Sequence, residues 1–425
     1  MRSLLAFGAT AFGLVVILAG EALSGQPVAF RGDWTGRSEA ANLPTTWNET
    51  TNLVWKSALP GPGSSIPIVV NGRIYLTCYT GYAESIEEPG ETADLVRHVV
   101  CLDRTSGKIL WQKSFKARMP ESEYRGSNNT RHGYTSSTPT SDGRFLYVFF
   151  GASGVFCLDL EGNQVWHADV GSGIHGWGSA TSPLLYRDLV IVNASIESKS
   201  LVGLDKKTGE EVWRAGGISS CWASPVLVDA EGGKQEIVLN VPNTLTGYDP
   251  RTGEKLWYCE GIPDGYLCPS VIGEGDVAYA IGARKNSAMA VRTGGRGDVT
   301  ESHVLWRTNK GSNVSSPVYV DGHLYWFHES RGTAICVDAK TGEVVFEERL
   351  EPRAGLIYAS VLAADGKLYA LSQNRGTYVL AARPEFQQLA VNVFADDNSR
   401  ANASPVVSEG QILLRTDKAL YCLGQ

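Results

Sequence analysis

The 425-residue chain is short of several things, and each shortage removes a class of protein. Positive charge is in deficit: 38 Lys and Arg stand against 45 Asp and Glu, a net charge of −7. That balance argues against a nucleic-acid partner, because a phosphate backbone demands clustered cations. No CxxC or His-rich spacing occurs, so a metal site of the zinc type has no sequence support. Beyond one stretch near the N-terminus, no segment approaches ~18 uninterrupted apolar residues, so the mature chain carries no transmembrane helix. The first cysteine is Cys78, which leaves no lipid-anchoring cysteine behind that stretch. Charged residues make up 20% against 43% hydrophobic, a ratio that excludes disorder and fibrous folds.

The apolar stretch runs from Leu4 to Gly20 behind Arg2, and Ala22 and Ser24 then provide small residues before a cleavage point. This pattern predicts a secretory signal peptide over residues 1–24 and therefore an exported protein, periplasmic or extracellular. An uncleaved anchor is the alternative; Gly8, Gly13 and a run just short of the usual ~20 residues weigh against it. Residues 25–46 read as an extended segment.

What the chain has in quantity is glycine and aromatic residues, 47 Gly, 11 Trp and 17 Tyr. They fall in a repeat: a small residue and proline, a short apolar strand, an Asp-Gly-type turn, an aromatic strand, then LDxxTGExxW. The last part reads CLDRTSGKILW at 101–111, CLDLEGNQVW at 157–166, LDKKTGEEVW at 204–213, YDPRTGEKLW at 248–257 and VDAKTGEVVF at 337–346. Prolines 139, 183, 225, 317 and 405 begin units of this kind. A period of ~40–50 residues with four strand signals is the mark of a β-propeller. The Asp accepts hydrogen bonds within its turn and the Gly adopts a positive φ. The Trp that follows buries between neighbouring blades. Trp55, Trp111, Trp166, Trp213, Trp257 and Trp306, with Phe346 and Phe394, supply eight such wedges.

The expected fold is all-β: one eight-bladed propeller over residues 47–425, with four-stranded antiparallel blades. The C-terminal stretch from Ala403 supplies three strands and NLVWKSALPG (52–61) the fourth, so the ends close the ring and remove its exposed edges. Seven blades would result if the degenerate unit from Tyr358 to Phe394 were an insertion. The closed ring is read as a monomer.

Cys101, Cys157, Cys336 and Cys422 share one register in different blades. Packed sheets lie ~10 Å apart, beyond the ~4.4–6.8 Å Cα separation of a disulfide, so these read as buried thiols. Cys221, Cys259 and Cys268 lie near the starts of adjacent inner strands, and a bridge from Cys268 to either partner is the one pairing left open.

In such blades the turns joining strands one to two and three to four share one face, and here they are short. The long connections, 81–97 and 113–133, fall on the other face, a distribution that marks a binding face in repeat proteins. Aromatic and basic residues gather there outside the wedge register: Arg131, His132 and Tyr134 in RHGY, His175 and Trp177 in IHGW, then Trp222, Tyr266 and Tyr358. A ring of this kind at a channel mouth stacks on a sugar, a quinone or an extended peptide; the alternative is that it plugs the channel. Arg331 in SRGT and Arg375 in NRGT occupy matching hairpins and offer anion contacts or solvated loop positions.

The LDxxTGxxxW repeats resemble those of the pyrroloquinoline-quinone-type β-propeller family. That family includes quinoprotein alcohol dehydrogenases and the propeller subunit of the outer-membrane β-barrel assembly machine. The opening segment, residues 30–61, resembles exported propellers of planctomycete-type bacteria. The enzyme members imply a vicinal Cys-Cys pair, a catalytic Asp and calcium ligands, none of which this sequence matches. The reading is therefore a non-catalytic scaffold without cofactor, engaging a protein or extended ligand through its loop-rich face. Polysaccharide binding is the alternative, and a quinone-dependent dehydrogenase the second.

Overall fold

A computed structural model describes residues 28–85, 87–123, 132–282, 284 and 287–425. The expected signal peptide and Arg131 lie outside them.

The chain builds eight sheets with four antiparallel strands each, an eight-bladed β-propeller, and two of them carry a fifth, parallel edge strand, Arg37–Ser38 on one and Gly297–Asp298 on the other. Seven blades are continuous in sequence, beginning with inner strands Ile68–Val70, Thr140–Ser141, Leu184–Tyr186, Val226–Ala230, Ile272–Glu274, Val318–Val320 and Leu362–Ala364. The eighth takes three strands from the C-terminus, Val406–Ser408, Gln411–Arg415 and Ala419–Leu423, and its outer strand, Leu53–Ala58, from the N-terminal side. The degenerate unit is a full blade, the seventh.

Each blade solves the same packing problem in the same way. In all eight, the pairing of the third and fourth strands slips by one residue, a bulge that re-aims the side chain beyond it. In six blades that side chain is the wedge tryptophan. Opposite it stand small residues: Cys101 faces Trp111, Cys157 Trp166, Gly203 Trp213, Gly247 Trp257, Ala290 Trp306 and Cys422 Trp55. The shared cysteine register is thus the seat beneath the wedge ring, an indole over Cys101, Cys157 and Cys422 and Phe346 over Cys336. Five of the six tryptophans then meet the glycine of the next blade's turn, where a Cβ on Gly209 would stand 2.6 Å from Trp166 and one on Gly342 2.6 Å from Trp306, while Trp257 donates to Glu236. Phe346 holds the register in the sixth blade, but Phe394 does not hold it in the seventh. The paired position there is Ala390, and Phe394 lies past the strand end, stacked on Tyr421 of the eighth blade at 3.9 Å.

Hydrogen bonds around the axis explain the small residue before each proline. The Ile66 N–H donates to Thr138 Oγ1, Thr138 to Ser182 Oγ, Ser182 to Ser224, Ser224 to Ser270, Ser270 to Ser316, Ser316 to Ser360 and Ser360 to Ser404, all at 2.8–3.0 Å. Seven of the eight blade junctions are tied this way. At the eighth, Ile66 has no hydroxyl to offer, and the buried Arg415 guanidinium reaches across instead. It donates to Ser65 O at 2.8 Å, Ser65 Oγ at 2.7 Å and Thr77 O at 2.7 Å.

Residues 28–38 cross the short-turn end of the axis. Val28 and Ser141 of the second blade exchange backbone hydrogen bonds. Arg37 pairs with Glu274 of the fifth at 3.0 Å and covers Tyr319 of the sixth. Arg37–Ser38 then adds a parallel strand to the inner edge of the seventh. Phe30 packs against Ile66 and Val406.

The bridge left open for Cys268 does not form, since all eight cysteines are free. Cys221 pairs with Leu267 in a parallel bridge, so Cys221 and Cys268 fall on opposite faces of the paired chains. Cys221 turns inward, its thiol 3.2 Å from Asn240 O.

Candidate functional site: a blind axial well

Alternate residues of an extended chain face the same side, and the eight chains that run into the inner strands use this to line the axis in layers. Two residues before each junction residue comes one side chain per blade: Ser64, Ser136, Ala180, Trp222, Cys268, Val314, Tyr358 and Asn402. All eight line a single cavity of ≈ 220 Å³. Deeper in, the junction residues Ile66, Ser224, Ser270, Ser316, Ser360 and Ser404 form the next layer, and Phe30 of the crossing segment lies below them. His132, Trp177, Tyr266 and Asn313, further up the chains, complete the mouth. The cavity is a well, open on the face of the long connections and floored at the other.

One wall is aromatic. Trp177 meets Trp222 at 5.2 Å and Tyr266 edge-on at 4.4 Å, and His175 backs them at 5.6 Å from Trp177 and 4.8 Å from Trp222. The Trp222 indole N–H donates to Gly178 O at 2.8 Å, which fixes this buried ring against the half-buried Trp177. Tyr266 is held by Asn313 Nδ2 at 2.8 Å and Arg284 Nε at 3.2 Å, both donating to its hydroxyl.

The lining contains no carboxylate, lysine or arginine among the described residues. Its histidine stays neutral, because burial holds the His132 imidazole down to about 4 while its Nδ1 engages Ser136 Oγ at 2.7 Å. Burial also lowers His175, and among the described residues neither ring has a carboxylate partner that would make it a base. The Cys268 thiol is pushed up to about 12 by the same cause.

Of the residues singled out in the sequence, His132, Trp177, Trp222, Tyr266 and Tyr358 line the well, and His175 buttresses it. Tyr134 is placed elsewhere. It is buried with Tyr79, Tyr82, Leu95 and Ala117, donates to Ser122 O at 2.7 Å, and anchors the two long connections to the first blade. Arg331 and Arg375 sit exposed in matching hairpins of the sixth and seventh blades, outside the lining. Sequence reasoning missed Ser64, Ser136, Ala180, Asn313, Asn402, the serine layer and Phe30. For Ser64, Ser136, Ala180 and Asn402 the signal was register, since the position two before the junction residue lines the axis in every blade, and for the serine layer it was the repeated junction residue itself; Asn313 and Phe30 follow neither.

Residues 97–348 match the family model described as outer membrane protein assembly factor BamB, more than half of the chain. The chain belongs to this BamB-type propeller family. No curated protein matches it in sequence. Among solved structures, BamB from Moraxella catarrhalis superposes with a TM-score of 0.58 at 14% identity, over 88% of this chain and 97% of that one. The quinohemoprotein alcohol dehydrogenase from Comamonas testosteroni gives 0.64 at 12%, over 93% and 80%. The computationally designed Ika8 protein gives 0.58 at 12%, over 87% and 98%. At such identities the likeness establishes the fold, which serves assembly factors and quinone enzymes alike.

The quinone of the enzyme branch is a polycarboxylate, and the described lining of the well offers it no charged partner. Its lining is uncharged, and no group of three or more His, Cys, Asp or Glu among the described residues is placed to hold a metal. Anionic groups in such a lining would be desolvated without compensation, so these residues do not fit the cofactor. No helix among the described residues is long and apolar enough to cross a membrane.

Proposed function

We propose that this protein is an exported, non-catalytic binding propeller that engages a protein or extended ligand end-on through its loop-rich face, the end of the ligand entering the axial well. The observation that carries this reading is the well itself. It opens among the long connections, presents an aromatic wall, and is floored by Phe30, so it accepts a terminus and not a chain passing through. Family membership supports a partner-binding role, since BamB is an assembly factor. Export rests on the signal-peptide pattern of residues 1–24.

The test is capture from the native envelope fraction with the mature protein and with an Ala180→Trp variant, which fills the upper layer beside Trp222. A partner retained by the parent and lost by the variant supports the reading. Retention that ignores the variant overturns the well as the site. Fractionation of the full-length chain checks export: processing after Ser24 is expected, and an unprocessed cytoplasmic product overturns it.

A further inference from the structure

We infer that the occupant of the well is the terminal ring of an uncharged glycan. The inference rests on the reading that the well is the binding site and adds the chemistry of what it takes.

Three features of the lining narrow the ligand. The first is charge. With no ionic side chain among the described lining residues and His132 held neutral, a carboxylate, phosphate or ammonium group inside the well would lose its hydration with no counter-charge in the lining to replace it. That makes an uncharged end of an extended ligand the better occupant than a peptide terminus, which is charged at either end. The second is the aromatic wall. Trp222 has its N–H committed to Gly178 O, so the surface it shares with Trp177 asks for a flat, apolar face.

The third is the serine layer, where the argument gains its direction. Ser224, Ser270, Ser316, Ser360 and Ser404 lie on five consecutive blades, and each hydroxyl already accepts a backbone N–H from the preceding blade at 2.8–3.0 Å. A hydroxyl has one proton to donate besides the lone pairs that accept. The deep layer is therefore an arc of five hydroxyls around one axis, each with a proton still available to donate to a ligand. Asn313 adds the complementary group, its Oδ1 buried without a hydrogen-bond partner while Nδ2 holds Tyr266. A purely apolar ligand would leave the Asn313 Oδ1 and the unused serine O–H groups desolvated without partners, which is unfavourable. A pyranose meets all three demands, with C–H groups on its face, oxygens that accept around its edge, and hydroxyls that donate to Asn313. The floored well admits the end of a chain only.

The experiment titrates the mature protein with neutral hexose and N-acetylhexosamine tetrasaccharides and with uronic-acid tetrasaccharides. Intrinsic tryptophan fluorescence and thermal shift are read for the parent, Trp222→Ala, Ala180→Trp and a Ser316→Ala/Ser360→Ala pair. The expected result is saturable binding of at least one neutral sugar, weakened about tenfold or more by loss of the stacking ring, abolished by Ala180→Trp and reduced by the serine pair. Ala180→Trp leaves the inter-blade hydrogen bonds alone, so its result stands even where the serine pair unfolds. Stronger binding of the uronic series overturns the charge argument and with it the inference. If no sugar binds but envelope capture is blocked by Ala180→Trp, the glycan inference fails and the well remains the binding site. If capture ignores Ala180→Trp as well, both fail.

Discussion

Gly107 of the first blade lies flat against Trp55 of the closing strand: a Cβ at Gly107 would stand 2.5 Å from the indole, and the residue's φ is +69°. This contact joins the last blade to the first, where the ring is held by strand pairing between chain ends. Gly107→Ala should therefore carry two penalties, backbone strain and overpacking, which together cost about 2–4 kcal/mol. Gly72 provides the control. Its φ is +72° but a Cβ there meets nothing within 4 Å, so Gly72→Ala should cost only about 1 kcal/mol of strain. Denaturant unfolding of both variants separates the terms, and equal losses would mean that the indole contact contributes nothing.

Two buried arginines make opposite predictions. Arg415 bonds Ser65 and Thr77 across the one junction that lacks a hydroxyl, so Arg415→Met strands those acceptors and should destabilise by about 3 kcal/mol. Arg31 is also buried, but only its Nη2 is bonded, to Val361 O at 3.1 Å, while Nε and Nη1 have no partner. Desolvation lowers its guanidinium to about 10. Arg31→Met should be neutral or stabilising, because the cost of burying a poorly paired charge disappears. Thermal melts of the two variants decide it, and a large loss for Arg31→Met would show that the crossing segment depends on that cation.

Glu197 gives the fold a pH dependence of defined sign. Burial raises its carboxyl from 4.5 to about 7, the Ser179 hydroxyl that donates to it opposing the shift only in part. The unfolded chain releases this proton near 4.5 and the folded one holds it until about 7. Folding stability should therefore be full below about pH 4.5, fall through the window from 4.5 to 7, and level off above, by up to about 3 kcal/mol. Glu197→Gln keeps an acceptor for Ser179 and removes the titration. The variant should match the parent near pH 4.5 and exceed it in melting temperature at pH 8; parallel curves across that range would refute the assignment.

The blades were legible in the sequence because six of the eight meet the same demand, an indole over a small residue, and in five of these the indole also packs against a glycine of the next blade. The demand writes itself as LDxxTGxxxW in one unit after another. Phe394 misled because the seventh blade places Ala390 at that register and fills the gap with a ring from beyond the strand. The aromatic side of the well was visible as residues left over from the repeat. Its other side was not, since Ser64, Ser136 and Ala180 look like ordinary small residues in a strand's approach and acquire meaning only as one layer of a ring. The floor was beyond reach for another reason: Phe30 comes from the non-repeating segment and meets the axis through contacts with Ile66 and Val406, which no periodicity encodes.

Cys268 offers a direct view into the well. It is the one cysteine of the eight that is not fully buried, and it lines the cavity on the same side as Trp222. Burial pushes its thiol up to about 12, and because the thiolate is the reactive species, alkylation should be slow at neutral pH and rise about tenfold per unit as pH is raised toward that value. In the native protein a single thiol should react ahead of the others, and Cys268→Ser should abolish that fast phase. Unfolding without reductant should then expose all eight, a count that a disulfide would lower by two. Ala180→Trp fills space in the same layer and should slow the Cys268 phase without altering the total. If the fast phase survives Cys268→Ser, the well is not the accessible cavity that its lining describes.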